Sequence, residues 1–347
     1  MFDHPSFDQH ERVVFAHDAA TGLRAIVAVH STARGPGAGG CRFWQYSSTN
    51  DALADALRLS RGMSYKNAMA GLPLGGGKAV VMMDAARPKT RQMLEAFGRL
   101  VDSLHGQYVT AEDVGASVAD MEIVAGQTRY VSGLPRTAVS SDGNPSPKTA
   151  LGVYLGIKAA VEYRLKKDEL RGLTVAVQGL GGVGYELCKL LAADGVKLRV
   201  ADVRDAVTQK AAAQFEAEVS APDRILFERA DVVAPCALGA LFDANTIPKL
   251  HTPIIAGAAN NQLATAQDGA RLHSAGVLYA PDYVINAGGI ISVGREYLGG
   301  ATAESITAEI HRIPVRLTQI FARSSATNRP TSELADEMAR QLLAEAR

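Results

Sequence analysis

The sequence has no excess of charge of either sign. Its 36 Lys and Arg residues balance its 36 Asp and Glu residues, for a formal net charge of zero. Without a basic field the chain has no long-range attraction for nucleic acid or for an acidic membrane surface. We therefore expect no nucleic-acid partner and no membrane partner.

Long apolar runs and a secretory leader are also missing. No stretch reaches the ~18 unbroken apolar residues of a membrane helix, and the opening MFDHPSFDQHERVVF has no charged segment followed by an apolar one. The three cysteines, Cys41, Cys188 and Cys236, are far apart and form no CxxC pair, which argues against a zinc site and against a disulfide framework. We expect a metal-free protein of the reducing cytoplasm.

What is present is an ordinary globular composition, 47% apolar and 21% charged. A chain of 347 residues is long enough to bury a large core, and at about 100–200 residues per domain it predicts two domains. The densest cluster of Ser, Gly, Asn and Pro is SSDGNPSPK at 140–148, which is typical of a domain boundary. We predict a first domain over 1–143 and a second over 144–324.

Hydrophobic periodicity differs on the two sides of this boundary. Before it, the pattern predicts strands at 12–18, 23–30, 78–84 and 107–110 and helices at 51–65 and around 94–104. After it, helices at 149–164, 183–193 and 205–217 alternate with strands at 173–178, 197–202, 231–234, 253–257 and 277–280. Such alternation with apolar strands indicates an α/β fold whose parallel sheet is covered by helices. Helices at 303–323 and 331–346 close the chain, and we expect the C-terminal one, within about 325–347, to pack back on the first domain.

A glycine-rich turn follows the first strand of the second domain. Gly179, Gly181 and Gly184 form a GxGxxG motif between the strand LTVAVQ and the helical YELCKLLAA. This spacing permits a tight turn, a close backbone approach to a pyrophosphate at the helix N-terminus, and close helix–strand packing. Asp202 ends the next strand, where a carboxylate accepts from a ribose 2′-hydroxyl and repels a 2′-phosphate. The motif predicts NAD as the cofactor, although Arg204, two residues on, would weaken the preference over NADP.

Two lysines and an aspartate of the first domain are candidate catalytic groups. Lys78 follows three glycines, which would let the backbone approach a ligand closely and hold the lysine at the mouth of a strand. A lysine between apolar segments can have a lowered pKa, which suits a general base. Lys66 would suit a carboxylate ligand and lower that pKa further, and Asp113 follows the strand QYVT. Taken singly, these residues also fit a solvated loop lysine, a helix-end cation and a helix N-cap.

Taken together, segments over nearly the whole chain resemble the family of leucine, phenylalanine, valine and glutamate dehydrogenases, most strongly its leucine and phenylalanine members. The matching segments are GPGAGGCR (35–42), LRLSRGMSYKNA (57–68), LPLGGGKAVV (72–81), YVTAEDVG (108–115), NPSPKTALGV (144–153), GLGGVG (179–184), APCALG (234–239), AGAANNQL (256–263) and APDYVINAGGII (280–291).

The resemblance implies a role for each matching residue. Lys78 would be the base that activates water, and Asp113 would move protons to and from the amino group. Lys66 would bind the substrate carboxylate, and the other substrate-binding residues would be Gly39, Gly40, Ala38, Ala111, Asn260, Asn261, Ile290 and Val293, with Asn260 slightly favoured over Asn261. The cofactor would be bound by Arg42, Thr149, Gly179, Gly181, Gly182, Val183, Gly184, Asp202, Cys236, Ala237, Ala258 and Asn260.

The same resemblance implies how the molecule is organised. It implies a homo-oligomer in which a substrate domain and a Rossmann-type NAD domain are separated by a cleft. The cleft would close on the substrate and exclude water before hydride transfer. Residues 140–148 are a reasonable hinge.

The expected side-chain pocket contains no charged partner. Ala38 takes the position of a lysine that pairs with the γ-carboxylate in glutamate dehydrogenases, and burying an unpaired carboxylate would cost several kcal/mol. Ala111 is the choice typical of leucine enzymes, whereas the small Ala38 leaves room for an aromatic ring. One methylene contributes only about 1–3 kcal/mol of discrimination, so we favour a leucine- or valine-type substrate with phenylalanine or tryptophan as the alternative.

Two other function classes are more distant alternatives. A hydroxy-acid dehydrogenase would use a His–carboxylate relay, and none of the eight histidines sits in a glycine-framed motif. A non-catalytic nucleotide sensor should have lost one of the two lysines, and both are present.

Overall fold

The structure is a computed structural model that describes residues 1–84, 87–134 and 144–346. The chain divides into two compact units. Unit 1 contains the described residues up to Leu134 together with 293–303 and 339–346, and unit 2 contains 144–292 and 304–338. Residues 140–143 of the expected hinge lie outside the described part.

Unit 1 is built on one mixed sheet and three helices. Its elements are β1 (Arg12–Asp18), β2 (Leu23–Ser31), β3 (Gly37–Ala38), β4 (Cys41–Trp44), α1 (Thr49–Met69), β5 (Gly75–Met82), α2 (Arg91–Asp102), β6 (Tyr108–Val109) and α3 (Val118–Ala125). The strand order is β1-β2-β5-β3-β6, and β4 also pairs with β5. β1, β2 and β5 are antiparallel neighbours, whereas β3 and β4 run parallel to β5.

Both faces of this sheet are buried. Alternate residues of β2 and β5, including Val27 and Val81, form one apolar cluster with Phe97 of α2 and Val124 of α3. The residues between them, including Ile26 and Val80, form a second cluster with Ala52 and Ala56 of α1. Because side chains alternate along a strand, Lys78 lies on the same face of β5 as Val80, which is the α1 face.

The three glycines before Lys78 do not serve the purpose that the sequence predicted. They are buried inside β5, which begins at Gly75 rather than at Lys78. A Cβ on Gly75 would lie 1.9 Å from the Ser31 carbonyl oxygen, and one on Gly77 would lie 2.6 Å from the Tyr108 ring. The glycines therefore allow protein elements, not a ligand, to approach β5 closely.

Unit 2 contains a six-stranded sheet and the remaining helices. Its elements are α4 (Ser146–Leu165), β7 (Thr174–Gln178), α5 (Gly182–Ala193), β8 (Lys197–Ala201), α6 (Asp205–Phe215), β9 (Glu218–Val219), β10 (Val232–Pro235), β11 (Ile254–Ile255), α7 (Ala266–Ser274), β12 (Leu278–Tyr279), α8 (Asp282–Ile285), α9 (Gly288–Leu298), α10 (Ala303–Ile310), α11 (Ile313–Thr327) and α12 (Thr331–Ala344). The last residues of α9 and of α12 are grouped with unit 1, where Arg34 donates to the Leu342 carbonyl oxygen at 3.4 Å.

The sheet of unit 2 has the strand order of a dinucleotide-binding fold. Its order is β12-β11-β10-β7-β8-β9, and every neighbouring pair is parallel. The order reverses between β7 and β10, and ligands of such sheets bind beyond the carboxyl ends of the strands at this point. The predicted α/β class with a Rossmann-type sheet is confirmed.

Two features of the described fold were not predicted correctly. The helix expected at 303–323 is two helices, because Pro314 in the first turn of α11 has no backbone N–H with which to continue a helix from α10. The short strands β3 and β4 and the helices α3, α7, α8 and α9 were not predicted at all. No helix in the described ranges combines the length and the apolar character that crossing a membrane requires.

Replacing Gly76 by alanine should destabilise the protein, because β5 and α1 are already in contact there. The new methyl would lie 2.1 Å from the Ser64 backbone nitrogen and 2.5 Å from the Ser60 carbonyl oxygen, so α1 would have to shift, at a cost of about 2–3 kcal/mol. Gly62→Ala on the same helix is the matched control, because nothing lies within 4 Å of its new methyl. The control should be neutral or more stable by up to about 1 kcal/mol. Denaturant unfolding measures both variants, and equal stability would contradict this packing.

Candidate active site

A buried ion pair between Lys78 and Asp113 forms the centre of the site in unit 1. The Lys78 side chain is 7% exposed, and its Nζ atom contacts Oδ2 of Asp113, which is 21% exposed. The two residues are 35 positions apart in sequence, and the sheet brings them together. A buried ammonium with a carboxylate in contact can exchange protons with a bound molecule while water is largely excluded.

The charges around Asp113 oppose the effect of its burial. Burial alone would raise the pKa of this carboxyl, but the Lys78 ammonium and then the Arg42 guanidinium outweigh burial, and the net pKa is lowered. Asp113 is therefore a carboxylate at neutral pH and can accept a proton. The neighbouring Glu112 differs, because burial and the Asp113 charge both raise its pKa.

Asp113 lies in a turn after β6, not at a helix N-terminus as its sequence context alone suggested. The N-cap of α3 is Ser117, which forms a capping box with Asp120. The turn is closed by a bond from the Ala116 amide to the Asp113 carbonyl oxygen, and it needs a positive φ of 79° at Gly115. Lys89 fastens the turn, because its Nζ atom donates to the Gly115 carbonyl oxygen at 2.8 Å and also contacts Asp120.

Gly39 and Gly40 separate strand β3 from strand β4, beside the Lys78–Asp113 ion pair. A Cβ on Gly39 would lie 2.0 Å from the Gly77 carbonyl oxygen, and one on Gly40 would lie 2.8 Å from Cβ of Asp113. Their carbonyl oxygens accept from the buried hydroxyl of Tyr108, at 2.8 and 3.2 Å. The two glycines thus bring the backbone against the Lys78–Asp113 pair, and Tyr108, which sequence reasoning missed, fixes them there.

Arg42 lies between Asp113 and a second carboxylate, Asp55. Its Nη1 atom donates to Oδ2 of Asp55 at 2.8 Å, and its Nε atom is 3.4 Å from Oδ2 of Asp113. Tyr46 donates to the same oxygen of Asp55 at 2.7 Å. Asp55 was also missed, because an acid in the second turn of an amphipathic helix is an unremarkable sequence signal.

Lys66 lies in the last turn of α1, where its cationic side chain suits the negative end of the helix. The adjacent Asn67 is fully buried, and its side-chain amide donates to the Gly75 and Ala38 carbonyl oxygens. Asn67 therefore anchors the end of α1, including Lys66, to the beginning of β5 and to β3.

In unit 2, the GxGxxG motif forms a tight turn that leads into the N-terminus of α5. Gly179 has a positive φ of 92°, and a Cβ on Gly184 would lie 1.9 Å from the Gly179 carbonyl oxygen. At Gly181, the N-cap of α5, nothing lies within 4 Å of an added Cβ. Space therefore remains at the helix N-terminus, where unpaired N–H groups favour an anion. Gly182 and Val183 form the first turn of this helix, and Ser146 of α4, also missed, lies 2.6 Å from a Cβ placed on Gly182.

Asp202 is held beside this turn by two partners. Its Oδ2 atom accepts from the Leu180 amide at 2.7 Å, and its Oδ1 atom accepts from the Arg204 backbone amide and from Arg204 Nε, both at 2.9 Å. These hydrogen bonds, those from Arg204 first, lower the pKa of Asp202 well below its usual range. The Arg204 side chain remains 57% exposed.

The other expected cofactor residues lie near the strand ends of unit 2. Asn286 is buried, and its amide donates to Oδ1 of Asn260 at 2.8 Å and to the Ala258 carbonyl oxygen at 3.0 Å. Asn261 has a positive φ of 52°. Asparagine adopts this left-handed conformation more readily than most residues, so the turn explains why an asparagine is found there. Thr149 in the first turn of α4 is 2.5 Å from a Cβ placed on Gly289, and Ala237, next to Cys236, lies against Gly179.

The four expected pocket residues are apolar and at least half-buried. Ala38 is buried in β3, and Ala111 follows β6, where its carbonyl oxygen accepts from the Cys41 amide at 2.9 Å. Ile290 and Val293 are both on α9, and they are grouped with unit 2 and unit 1, respectively.

Among the described residues, one histidine, the buried His30 of β2, forms an ion-pair contact with a carboxylate. His30 Nε2 is 3.7 Å from Asp8, its Nδ1 atom is hydrogen-bonded to Ser64 at 2.8 Å, and its ring packs edge-on against His10. Burial, and then the neighbouring His10, lower the pKa of His30 to about 4. A neutral histidine in such packing is a structural group. In the described ranges, no three His, Cys, Asp or Glu side chains cluster as a metal site would require.

The parallel sheet with its glycine-rich turn and the buried lysine–aspartate pair define an α/β oxidoreductase of the dinucleotide-dependent class. Residues 10–130 match the family profile described as Glu/Leu/Phe/Val dehydrogenase, dimerisation domain, and residues 197–337 match that of Glutamate/Leucine/Phenylalanine/Valine dehydrogenase. The chain belongs to this family of nicotinamide-dependent amino-acid dehydrogenases, as the resemblance predicted.

Individual relatives cover nearly the whole chain. The leucine dehydrogenase of Geobacillus stearothermophilus is 46% identical over 98% of this chain and 92% of its own length. The valine dehydrogenase of Streptomyces coelicolor is 45% identical over 97% of this chain and 93% of its own length. The crystal structure of L-tryptophan dehydrogenase from Nostoc punctiforme is similar with a TM-score of 0.85 and 41% identity, covering 97% of each chain.

Proposed function

We propose that this protein catalyses the reversible, NAD-dependent oxidative deamination of an apolar L-amino acid to the 2-oxo acid and ammonia. The observation that carries the proposal is the buried contact between Lys78 and Asp113. It supplies, away from solvent, one group that can activate water and one that can carry the protons of an amine. The charged groups assigned to the substrate, Lys66, Lys78 and Asp113, belong to unit 1, and the dinucleotide turn with Asp202 belongs to unit 2.

In this proposal each charged group handles one part of the substrate. Lys66 binds the substrate carboxylate, and Asp113 takes a proton from the substrate ammonium so that the amine can share its electron pair with the α-carbon. When bound, NAD would supply the acceptor for the hydride of this carbon, and loss of the hydride leaves an iminium. Lys78, in its neutral amine form, then takes one proton from water as the water oxygen attacks the iminium carbon, and Asp113 returns its proton to the nitrogen. As the carbon–nitrogen bond breaks and ammonia leaves, the hydroxyl proton passes to Asp113 and the carbonyl forms. The net change converts the amino acid, water and NAD to the 2-oxo acid, ammonium, NADH and a proton.

The residues of unit 2 fit a dinucleotide. The open position at Gly181 and the N-terminus of α5 would hold the pyrophosphate, and Asp202 would face the adenosine ribose. Asn260, oriented by Asn286, is the better candidate than Asn261 for the nicotinamide end, because its side chain is held in place. Arg42, Thr149, Ala258, Cys236 and Ala237 complete the proposed cofactor contacts.

An apolar side chain is favoured by the pocket and by the relatives. Ala38, Ala111, Ile290 and Val293 offer no counter-charge to a second carboxylate, and the leucine and valine enzymes are each about 45% identical to this chain. We therefore place leucine or valine first. The small Ala38 and the 41% identity to a tryptophan dehydrogenase keep an aromatic substrate as the second candidate.

Assembly and location are part of the same proposal. The match over residues 10–130 to a domain described as a dimerisation domain supports a homo-oligomer. A cytoplasmic location is consistent with three cysteines that are all free thiols.

Replacing Lys78 by alanine should abolish turnover and leave cofactor binding intact. Without the Lys78 amine, no described group contacting Asp113 can serve as the base for water, so kcat should fall by about 10³-fold or more, while the affinity for NAD, measured by fluorescence titration, changes little. Lys167→Ala, an exposed lysine of unit 2, is the control and should behave as wild type. Near-normal turnover of the Lys78 variant would remove Lys78 from its assigned role.

Replacing Arg204 by alanine should sharpen the preference for NAD. The Arg204 guanidinium pairs with Asp202 and is 57% exposed, so it can also meet a 2′-phosphate bound beside Asp202. Its loss should lower kcat/KM with NADP by about 10- to 100-fold and leave kcat/KM with NAD unchanged or higher. Arg199→Ala on β8 is the control, because Arg199 pairs with Glu218 and Glu228 instead. An unchanged ratio of NADP to NAD efficiency would show that Arg204 does not affect cofactor choice.

A further inference from the structure

The surroundings of Asp113 contain a second buried carboxylate for which the proposed reaction has no use. Asp55 lies on α1 beside Ala52 and Ala56, which pack on the sheet, and its side chain is only 13% exposed. A buried carboxylate is costly unless it is paired. Its function should therefore be sought in its partners.

Asp55 accepts hydrogen bonds on both of its oxygens. Arg42 Nη1 and the Tyr46 hydroxyl donate to Oδ2, and Arg58 Nη2 donates to Oδ1 at 3.1 Å. Burial, and then Asp55 itself, raise the pKa of Tyr46, so its hydroxyl stays neutral and remains a donor. Asp55 thus gives the Arg42 guanidinium a fixed anchor on the side of α1.

The hydrogen bond from Arg42 to Asp55 determines which edge of the guanidinium faces Asp113. Arg42 pairs with Val80 across β4 and β5, so its side chain lies on the α1 face, as does that of Lys78. With Nη1 held by Asp55, the guanidinium meets Asp113 through Nε, at 3.4 Å and without a hydrogen bond. Released from Asp55, the planar guanidinium could pair with Asp113 through two nitrogens, as arginine and carboxylate commonly do, and would compete with Lys78.

We propose that Asp55 is a positioning residue for the reaction: by holding Arg42 it leaves Asp113 to Lys78, and it adds a second negative charge beside the cations Lys78, Arg42 and Arg58. This inference rests on the proposed function. The other titratable groups at the pair are Glu112, Cys41 and Tyr108. Burial raises the pKa of Cys41 to about 12 and that of Tyr108 well above its usual value, so neither adds charge.

The test is the pH profile of kcat/KM for amino-acid oxidation in Asp55→Asn. Removing one negative charge makes each group of a coupled cluster lose its proton more easily. Freeing Arg42 also weakens the ion pair between Asp113 and Lys78. Both effects should lower the pH at which kcat/KM begins to rise, by on the order of half a unit to one unit. Misplacement of Asp113 should also lower kcat by about tenfold, with little change in KM.

Two variants separate positioning from simple structural support. Asp51→Asn removes an acid one turn earlier on α1, where Asp51 bonds only to Ser47 and Ser48, and its profile should superimpose on that of wild type. Asp55→Glu keeps the negative charge, so its kcat/KM should rise over the same pH range as that of wild type. If Asp55→Asn does not fold, Asp55→Ser removes the same charge with a smaller side chain.

The outcomes distinguish this inference from the proposed function. A profile of Asp55→Asn that is lower at every pH but not shifted would overturn the inference and leave the reaction intact. A wild-type protein that oxidises no amino acid would overturn the proposed function itself.

Discussion

The buried contact between Lys78 and Asp113 is the interaction on which the rest of unit 1 depends. Desolvating an ammonium and a carboxylate costs several kcal/mol per ion, and their attraction offsets that cost only when the geometry is good. A pair of apolar residues would make a more stable core. That the chain keeps two charges at the centre of unit 1 is best explained by chemistry, since a proton donor and acceptor must meet a substrate out of reach of bulk water.

The surrounding packing can be understood as the means of holding this pair. The glycines of β5 let α1 and Tyr108 approach the strand that carries Lys78, and Gly40 lets the backbone touch the turn that carries Asp113. Tyr108, Lys89 and Asn67 then hold those segments by hydrogen bonds to backbone carbonyl oxygens. Side chains would be too large at the glycine positions, so the substrate site is built from backbone as much as from functional groups.

The sequence predicted the parts of the molecule whose signal is local. The GxGxxG turn, the strand before it and the helix after it follow from spacing alone, and the alternating pattern of unit 2 correctly indicated a parallel sheet. Family resemblance singled out Lys78 and Asp113, and the structure brings them into contact. The β5 glycines were misread because a glycine that admits a ligand and one that admits a helix look alike in sequence. Tyr108 could not be found because its partners Gly39 and Gly40 are distant along the chain. Asp55 and Asn67 could not be found because a polar residue within a helix gives no local signal of the groups that it contacts.

The central claim is that this buried pair supports the NAD-dependent oxidation of an apolar amino acid, and initial-rate NADH formation tests it most directly. The rate at 340 nm and pH ~10 would be measured with leucine, valine, phenylalanine, tryptophan and glutamate. The account predicts clear activity on leucine and valine, less on the aromatic amino acids, and none on glutamate. A peak on phenylalanine or tryptophan would mean that Ala38 determines the size of the pocket. Absence of activity on all five, with NAD still bound, would contradict the account.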